Sequence, residues 1–378
     1  MGLKKVNMSL EHTLRKHLAT RTKENTLRRL KIAPQDTVDF SSNDYLGIAQ
    51  MKFLKYNDGQ FPSNGTGGSR LLSGNKPYHE SLEQQLGNYF NAEAFLLFNS
   101  GYVANIGLLS CIPQKGDVIL LDEYAHICMK EGARLSRAEH YSFKHNDLKD
   151  LERRLQRVKA EHVFVVIESV YSMDGDESPL VALVALTEKY GAYLIVDEAH
   201  TTGLMPDNGS GLCNALGVSD KVFARIYTFG KAVGAHGAGV AGPQYLKDYL
   251  INYSRSFIYT TAIPEHNVFV IQEAVKYRQQ NTHLWLAIQE KIVLFKESIS
   301  TSIPLLPSGH PIQGVLCGSS EKAIRLAAYL VKNGMDVRPI VSPTVPKTKE
   351  RIRICIHVYN TNKEIISLCK YINEFFGA

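Results

Sequence analysis

From about residue 76 onward the chain alternates short unbroken apolar runs with amphipathic stretches. The apolar runs predict strands at 92–98 (AEAFLLF), 117–122 (DVILLD), 162–169 (HVFVVIES), 192–200 (AYLIVDEAH) and 224–229 (ARIYTF). Between them, the 3.6-residue spacing of His79–Asn91, Gly101–Ile112, DLKDLERRLQRV and LVALVALTEKYG predicts helices. Strands that are apolar on both faces and separated by helices imply an α/β fold with a mostly parallel central sheet covered on both sides. Ahead of this region, residues 9 to about 30 read as a helical arm. Val38–Gly47 reads as a short strand entering a turn, and Pro62–Gly74 is too glycine-rich for a helix interior. Behind it come helices at Pro264–Asn281 and Trp285–Ser298, then a strand–helix–strand–helix pattern ending in NKEIISLCKYINEFF. The expected division is an arm with a short strand (1–45), a large α/β domain (46–280) and a smaller C-terminal α+β domain (281–378).

With 378 residues and 44% hydrophobic composition the chain buries a large core, which excludes a small binding module and compositional disorder. The formal charge of +6 suits an anionic substrate without demanding one. The basic run Arg21–Lys31 lacks the aromatic interleaving of a nucleic-acid reader and reads as a solvated helix face. Cys111, Cys128, Cys213, Cys317, Cys355 and Cys369 form no CxxC and no framework, so reduced thiols in the cytoplasm are expected. The N-terminal stretch has no apolar signal core, and no later window is apolar for the 18 or more residues of a membrane span. The thirteen histidines form no HExxH, GTGGSR does not open a βαβ unit, and no phosphate-loop lysine motif occurs. No metal, nicotinamide or nucleoside-triphosphate site is therefore expected.

Asp197 and His200 fall just past the strand at 192–200, where an open parallel sheet places its ligand crevice. A carboxylate capping the following loop is the competing reading. Lys231, flanked by Gly230 and Gly234, is either a surface charge at a turn or an amine held in that crevice, where desolvation would free it for Schiff-base chemistry or proton transfer. Asp197 and Lys231 lie at the ends of consecutive strands, so one crevice can hold both. A carboxylate there would keep a pyridine nitrogen protonated. His126 follows another strand end and could lie against a ring or simply cap a helix. Ser100, Gly101 and Tyr102 open a helix whose free N–H groups suit a phosphate.

The ordered set FSSNDYLG (40–47), GTGGSRLLSG (65–74), FNSGYVANIG (98–107), DEYAH (122–126), ESVYSMDGD (168–176), IVDEAHTTG (195–203), YTFGKAVGAHGA (227–238), FIYTTAIP (257–264) and VSPTVP followed by RIRI (341–354) resembles the α-oxoamine synthase family of fold-type I pyridoxal-phosphate (PLP) enzymes. The resemblance implies an aspartate-aminotransferase-like fold and a homodimer with shared sites. It makes Lys231 the cofactor-bearing lysine and Cα base, Asp197 the partner of the pyridine nitrogen, His200 a hydrogen-bond partner of the 3-oxygen and His126 the stacking ring. Ser172, Thr228, Ser100 and the Gly101 and Tyr102 backbone become cofactor contacts, with Thr260 or Thr261 reaching the phosphate of a neighbouring subunit. Arg353 and Asn43 would meet the amino-acid carboxylate, and Arg28 would lie near the substrate entrance.

The family reaction is decarboxylative condensation of an amino acid with an acyl thioester. Within the family, SSNDYLG and the short chain point to L-alanine with a pimeloyl thioester of coenzyme A or an acyl carrier protein. Glycine with acetyl-CoA and L-serine with a long acyl thioester are the alternatives. Two stretches depart from the family pattern: IHVYNT (356–361) replaces an Ala-Ala-His-Thr-like segment, and GLMPDNGSG lacks an arginine.

Overall fold

The computed structural model describes residues 2–24, 26–30, 32, 36–51, 64–206 and 208–377. Pro62 and Ser63 of the glycine-rich stretch, Lys31 of the basic run and Asp207 of GLMPDNGSG lie outside the described residues. The helix of the arm starts and ends earlier than the leucine spacing predicts. Helix α1 (Gly2–Lys23) stops at the polar TRTKEN segment, and residues 26–30 carry no regular structure. Thr20 and Thr22 turn their hydroxyls back onto the Lys16 and Leu18 carbonyls, and Leu30 is fully exposed. A helix with no surface to bury against is not extended by spacing alone.

After β1 (Val38–Asp39) and α2 (Pro77–Tyr89) the alternating pattern takes hold. It runs β2 (Ala94–Phe98), α3 (Gly101–Cys111), β3 (Val118–Asp122), α4 (Ile127–Leu135), β4 (Glu139–Phe143), α5 (Leu148–Arg157), β5 (Val163–Glu168), α6 (Leu180–Tyr190) and β6 (Tyr193–Asp197). The short α7 (Leu212–Ala215), β7 (Ala224–Thr228) and β8 (Ala238–Gly242) complete a seven-stranded sheet of order β2-β8-β7-β6-β5-β3-β4. β4, β3, β5, β6 and β7 are parallel, and β8 is antiparallel to both its neighbours.

The side-chain period of two divides each strand between two cores. Val118, Leu120, Leu194 and Val196 pack on one face of the sheet, Ile119, Leu121 and Ile195 on the other. Two strands of this sheet were not predicted. β4 (EHYSF) is an edge strand with four of its five residues exposed, and β8 (AGVAG) is glycine- and alanine-rich because Gly239 lies against the Phe95 ring.

Helices α8 (Gln244–Tyr253), α9 (Arg255–Ile258), α10 (Glu265–Gln280) and α11 (His283–Ser298) lead out of the sheet. The chain then forms β9 (Ile312–Leu316), α12 (Ser320–Lys332), β10 (Met335–Asp336), β11 (Arg338–Ile340), β12 (Arg351–Cys355) and α13 (Asn362–Phe376). β11, β12 and β9 make an antiparallel sheet, and β10 pairs in parallel with β1. This pairing brings the 40–47 segment from one end of the chain against β12 near the other, with the Cys355 N–H donating to the Phe40 carbonyl at 2.8 Å. The core that includes Val118 and Val196 continues through Val315, Ile352 and Ile365, so both sheets share one apolar interior.

Candidate active site

The carboxyl edge of the large sheet collects the ionisable residues. Asp197 ends β6, buried, and Glu168 ends β5 directly opposite it in the register. Each Asp197 oxygen has a donor: Ala199 N–H at 2.8 Å and Asn105 Nδ2 at 2.7 Å. Asn105, buried on α3, also donates to the Gly101 carbonyl at 2.9 Å and so fixes the start of that helix to the carboxylate. Glu168 accepts the His126 N–H at 2.8 Å. Burial, and then the neighbouring Asp197 charge, raise the Glu168 pKa.

Beyond β7 the chain turns tightly, with the Gly234 N–H donating to the Lys231 carbonyl at 2.8 Å and Gly234 at a positive φ of 68°. A Cβ there would lie 2.3 Å from Ala49 N, so the turn is pressed against the 48–49 backbone. The part-buried Lys231 sits above this turn. Burial lowers its pKa against the pull of Asp197 and Glu168, which makes the neutral amine accessible.

Ser100 caps α3, its Oγ accepting the Val103 N–H at 3.3 Å, while the Gly101 and Tyr102 N–H groups carry no hydrogen bond among the described residues. Thr228 faces this helix start, and its buried Oγ1 has no partner among the described residues. Open N–H groups, a helix N-terminus and an orphaned hydroxyl are what a phosphate would satisfy.

His126 caps α4 and accepts the Cys128 N–H on Nδ1 at 3.3 Å, with Cys128 Sγ 2.9 Å away. Burial of its inner face lowers its pKa, so the ring is neutral with its proton on Nε2. His200 is buried, its Nδ1 2.9 Å from the Tyr45 hydroxyl, and burial drops its pKa well below the ordinary value.

Arg353 on β12 is buried and has no carboxylate partner among the described residues. It donates instead to the Ser172 carbonyl at 2.6 Å, Asn43 Oδ1 at 2.8 Å and Cys355 Sγ at 2.9 Å. A buried guanidinium balanced only by neutral groups is a receptor for an incoming carboxylate.

The structure therefore gathers Lys231, Asp197, His200, Thr228, Ser100, Gly101, Tyr102, His126, Asn43, Arg353 and Ser172 along the sheet edge, Ser172 being engaged through its carbonyl. Thr260 and Thr261 lie beside the chain's own Asn99, whose amide donates to Thr260 Oγ1 at 3.2 Å and the Thr261 carbonyl at 3.0 Å. Arg28 lies exposed after α1, with no hydrogen bond or ion pair among the described residues.

Sequence reasoning missed Asn105, Glu168 and Tyr45. Each stands inside a recognised motif, which was the available signal. The departing IHVYNT segment packs beneath the 40–47 turn, where Tyr359 donates to Asp39 at 2.9 Å and His357 Nε2 lies 3.1 Å from the Ser42 carbonyl. In GLMPDNGSG, the Gly203 and Met205 carbonyls are held by Arg278 of α10 at 2.6 and 2.7 Å.

Fold and site together define the class, a fold-type I pyridoxal-phosphate enzyme. The sequence profile of the aminotransferase class I and II family matches residues 35–372. An 8-amino-7-oxononanoate synthase of Emericella nidulans is 38% identical over 96% of this chain and 95% of its own, and one of Lysinibacillus sphaericus 34% over 89% of each. Among solved structures, the 8-amino-7-oxononanoate synthase of Francisella tularensis superposes with a TM-score of 0.79 at 26% identity, covering 91% of this chain and 99% of that one. A serine palmitoyltransferase from S. paucimobilis with bound PLP gives 0.84 at 25% identity over 98% and 99%. The chain belongs to the aminotransferase class I and II family and, within it, to the α-oxoamine synthases.

Proposed function

We propose that this chain catalyses the decarboxylative condensation of L-alanine with a pimeloyl thioester, of coenzyme A or an acyl carrier protein, to 8-amino-7-oxononanoate, CO2 and free thiol, a step of biotin biosynthesis. The observation that carries the reading is the buried Arg353 guanidinium, with no carboxylate partner among the described residues, on the same sheet edge as Lys231 and Asp197. The relatives named for this activity, 34 to 38% identical, supply the substrate assignment.

PLP, when bound, supplies the electron sink that stabilises negative charge at the amino-acid Cα. Lys231 would hold it, and its neutral amine would take the Cα proton. Asp197, steadied by Asn105 and the Ala199 N–H, would hold the pyridine nitrogen. The Gly101 and Tyr102 N–H groups, Ser100 and Thr228 would hold the phosphate, with Thr260 or Thr261 supplied across a homodimer interface. His200 would offer Nε2 to the 3-oxygen, and Ser172 would contact the cofactor. His126 would cover the ring and present its Nε2–H to the substrate. Arg353 and Asn43 bind the carboxylate until it leaves as CO2, and Arg28 serves the acyl entrance. The arm and first strand (1–45), the large unit (46–280) and the C-terminal unit (281–378) act as three parts around one crevice, in the cytoplasm. Among the described residues no helix is long and apolar enough to cross a membrane.

The test is mass-spectrometric analysis of products when the PLP-loaded protein receives pimeloyl-CoA with equimolar L-alanine, glycine and L-serine. Dominant 8-amino-7-oxononanoate is the expected result. A serine-derived product with a long acyl-CoA, and none from alanine with pimeloyl-CoA, would overturn it. Lys231→Ala should lower turnover by more than the 10² to 10⁴ of a single acid–base role, because attachment is lost as well; near-normal turnover would refute the assignment of Lys231.

A further inference from the structure

Three loops at the carboxyl edge meet at a side chain that neither the motifs nor the reaction scheme uses. His145 follows β4, and its ring places Nδ1 2.9 Å from Asp122 Oδ1 and Nε2 2.7 Å from Asp176 Oδ2. Two carboxylates on the two ring nitrogens require both nitrogens to carry protons, so the ring is an imidazolium. It stacks on Tyr124 at 4.3 Å and 21° and meets Tyr171 edge-on at 4.4 Å.

The adjoining backbone repeats the pattern. The His145 N–H donates to Glu123 Oε1 at 2.9 Å, the Asn146 N–H to Asp122 Oδ2 at 3.0 Å, and Asn146 Nδ2 to Asp176 Oδ2 at 2.8 Å. Burial alone would lower the pKa of His145, yet the Asp122 and Asp176 carboxylates push it up to about 10. The titratable groups facing it are Asp122, Glu123 and Tyr124 from the end of β3 and the loop after it, and Tyr171, Asp174 and Asp176 from the β5–α6 loop.

What hangs on this ring is the amino-acid site. Asp176 belongs to the loop 171–178, whose Ser172 carbonyl holds Arg353 Nε at 2.6 Å. Asp174 of the same loop pairs with Arg351, and the Gly175 carbonyl takes the Ser308 hydroxyl at 2.8 Å. Asp122 begins the loop that ends in His126.

We propose that His145 is a positioning residue for the amino-acid substrate: it clamps the 171–178 loop to the end of β3, so that the Ser172 carbonyl holds the Arg353 guanidinium where the substrate carboxylate binds. It touches neither substrate nor cofactor. The proposal rests on the reading of Arg353 as the carboxylate receptor, and not on the identity of the acyl donor.

The test compares wild type, His145→Gln, which keeps one donor group in place of two, and Asp176→Asn. Dissociation constants for L-alanine, glycine and L-serine are read from the cofactor absorbance of the holoenzyme with no acyl donor present. For whichever amino acid binds wild type, both variants should weaken binding by about tenfold to a hundredfold, the loss of one charge-assisted hydrogen bond's alignment. KM for that amino acid should rise in parallel, while kcat, KM for the acyl thioester and the affinity for PLP change by less than about threefold. A purely structural lesion would move all four together and would overturn the proposal, as would unchanged amino-acid binding.

In wild type, amino-acid binding should weaken above about pH 9 as His145 loses its proton, and Asp176→Asn should move that break to lower pH. A variant that does not fold leaves a second measurement on the apo wild-type chain: a nitrogen-15 histidine titration should show His145 still doubly protonated at about pH 8.5. A ring that titrates near the ordinary histidine value would refute the clamp. Failure to make any pimeloyl product would end the alanine–pimeloyl reading but leave the absorbance titration to decide this proposal. Absence of any amino-acid response in wild type would overturn both.

Discussion

An alanine at position 101 would place its Cβ 2.3 Å from Thr228 Cγ2 and 3.6 Å from Thr228 Cβ. The first distance is far inside contact, and the atom met belongs to a β-branched side chain at a strand end, with little freedom to retreat. Turning Thr228 about χ1 would relieve the clash only by moving Oγ1, the buried hydroxyl that lacks a partner among the described residues. The alternative is to push back the first turn of α3 and, through the Asn105 bridge, disturb Asp197. Either response lands on the phosphate cradle. Overpacking of this kind costs about 1–3 kcal/mol. If the free protein relaxes and the bound state must undo the relaxation, PLP affinity should fall by about fivefold to 150-fold.

The assay is equilibrium binding of PLP to the apo protein, followed by absorbance, for Gly101→Ala, Thr228→Ser and the double variant. Serine keeps the hydroxyl and lacks Cγ2, so Thr228→Ser alone should cost less than about fivefold and the double variant should bind at least about fivefold more tightly than Gly101→Ala. Gly101→Ala binding PLP within about threefold of wild type, or a double variant no better than Gly101→Ala, would refute the reasoning.

Arg353→Lys keeps the charge but loses the planar fork that contacts Ser172 and Asn43 together, so KM for the amino acid should rise by about tenfold to a hundredfold with a smaller change in kcat, measured by steady-state kinetics. Asn105→Ala removes a donor from buried Asp197 and should destabilise the fold by about 1–3 kcal/mol in urea denaturation. His145, raised from 6.5 to about 10 in the folded protein, contributes stability that is complete below about pH 6.5 and is lost as pH rises through about 10. At 1.36 kcal/mol per pH unit the contribution is at most about 5 kcal/mol. The thermal midpoint of His145→Gln should therefore lie well below wild type at about pH 7 and converge on it toward about pH 10.5, other groups being common to both; a constant gap would contradict the clamp's charge.

The central strands were legible because burial on both faces turns each into a continuous apolar run, as in VILLD and YLIVD, and a strand end in such a sheet marks the crevice where Asp197 and Lys231 stand. β4 and β8 left no such trace, since one has four exposed residues and the other packs glycine against an aromatic ring. Leucine spacing overran the arm because periodicity reports a possible face and not a partner for it.

The sequence by itself determined the fold class and the cofactor, and its ordered motifs named the residues expected to meet the cofactor. It named Arg353 and Asn43 only by resemblance, for nothing local links positions 310 residues apart. Only the tertiary structure decided that this guanidinium is buried with no carboxylate partner among the described residues, that Asn105 anchors Asp197, and that His145 draws two loops together. Those contacts join segments distant in the chain, and the side chains that make them are ordinary polar residues whose meaning arises only when folding removes water and leaves each donor one partner.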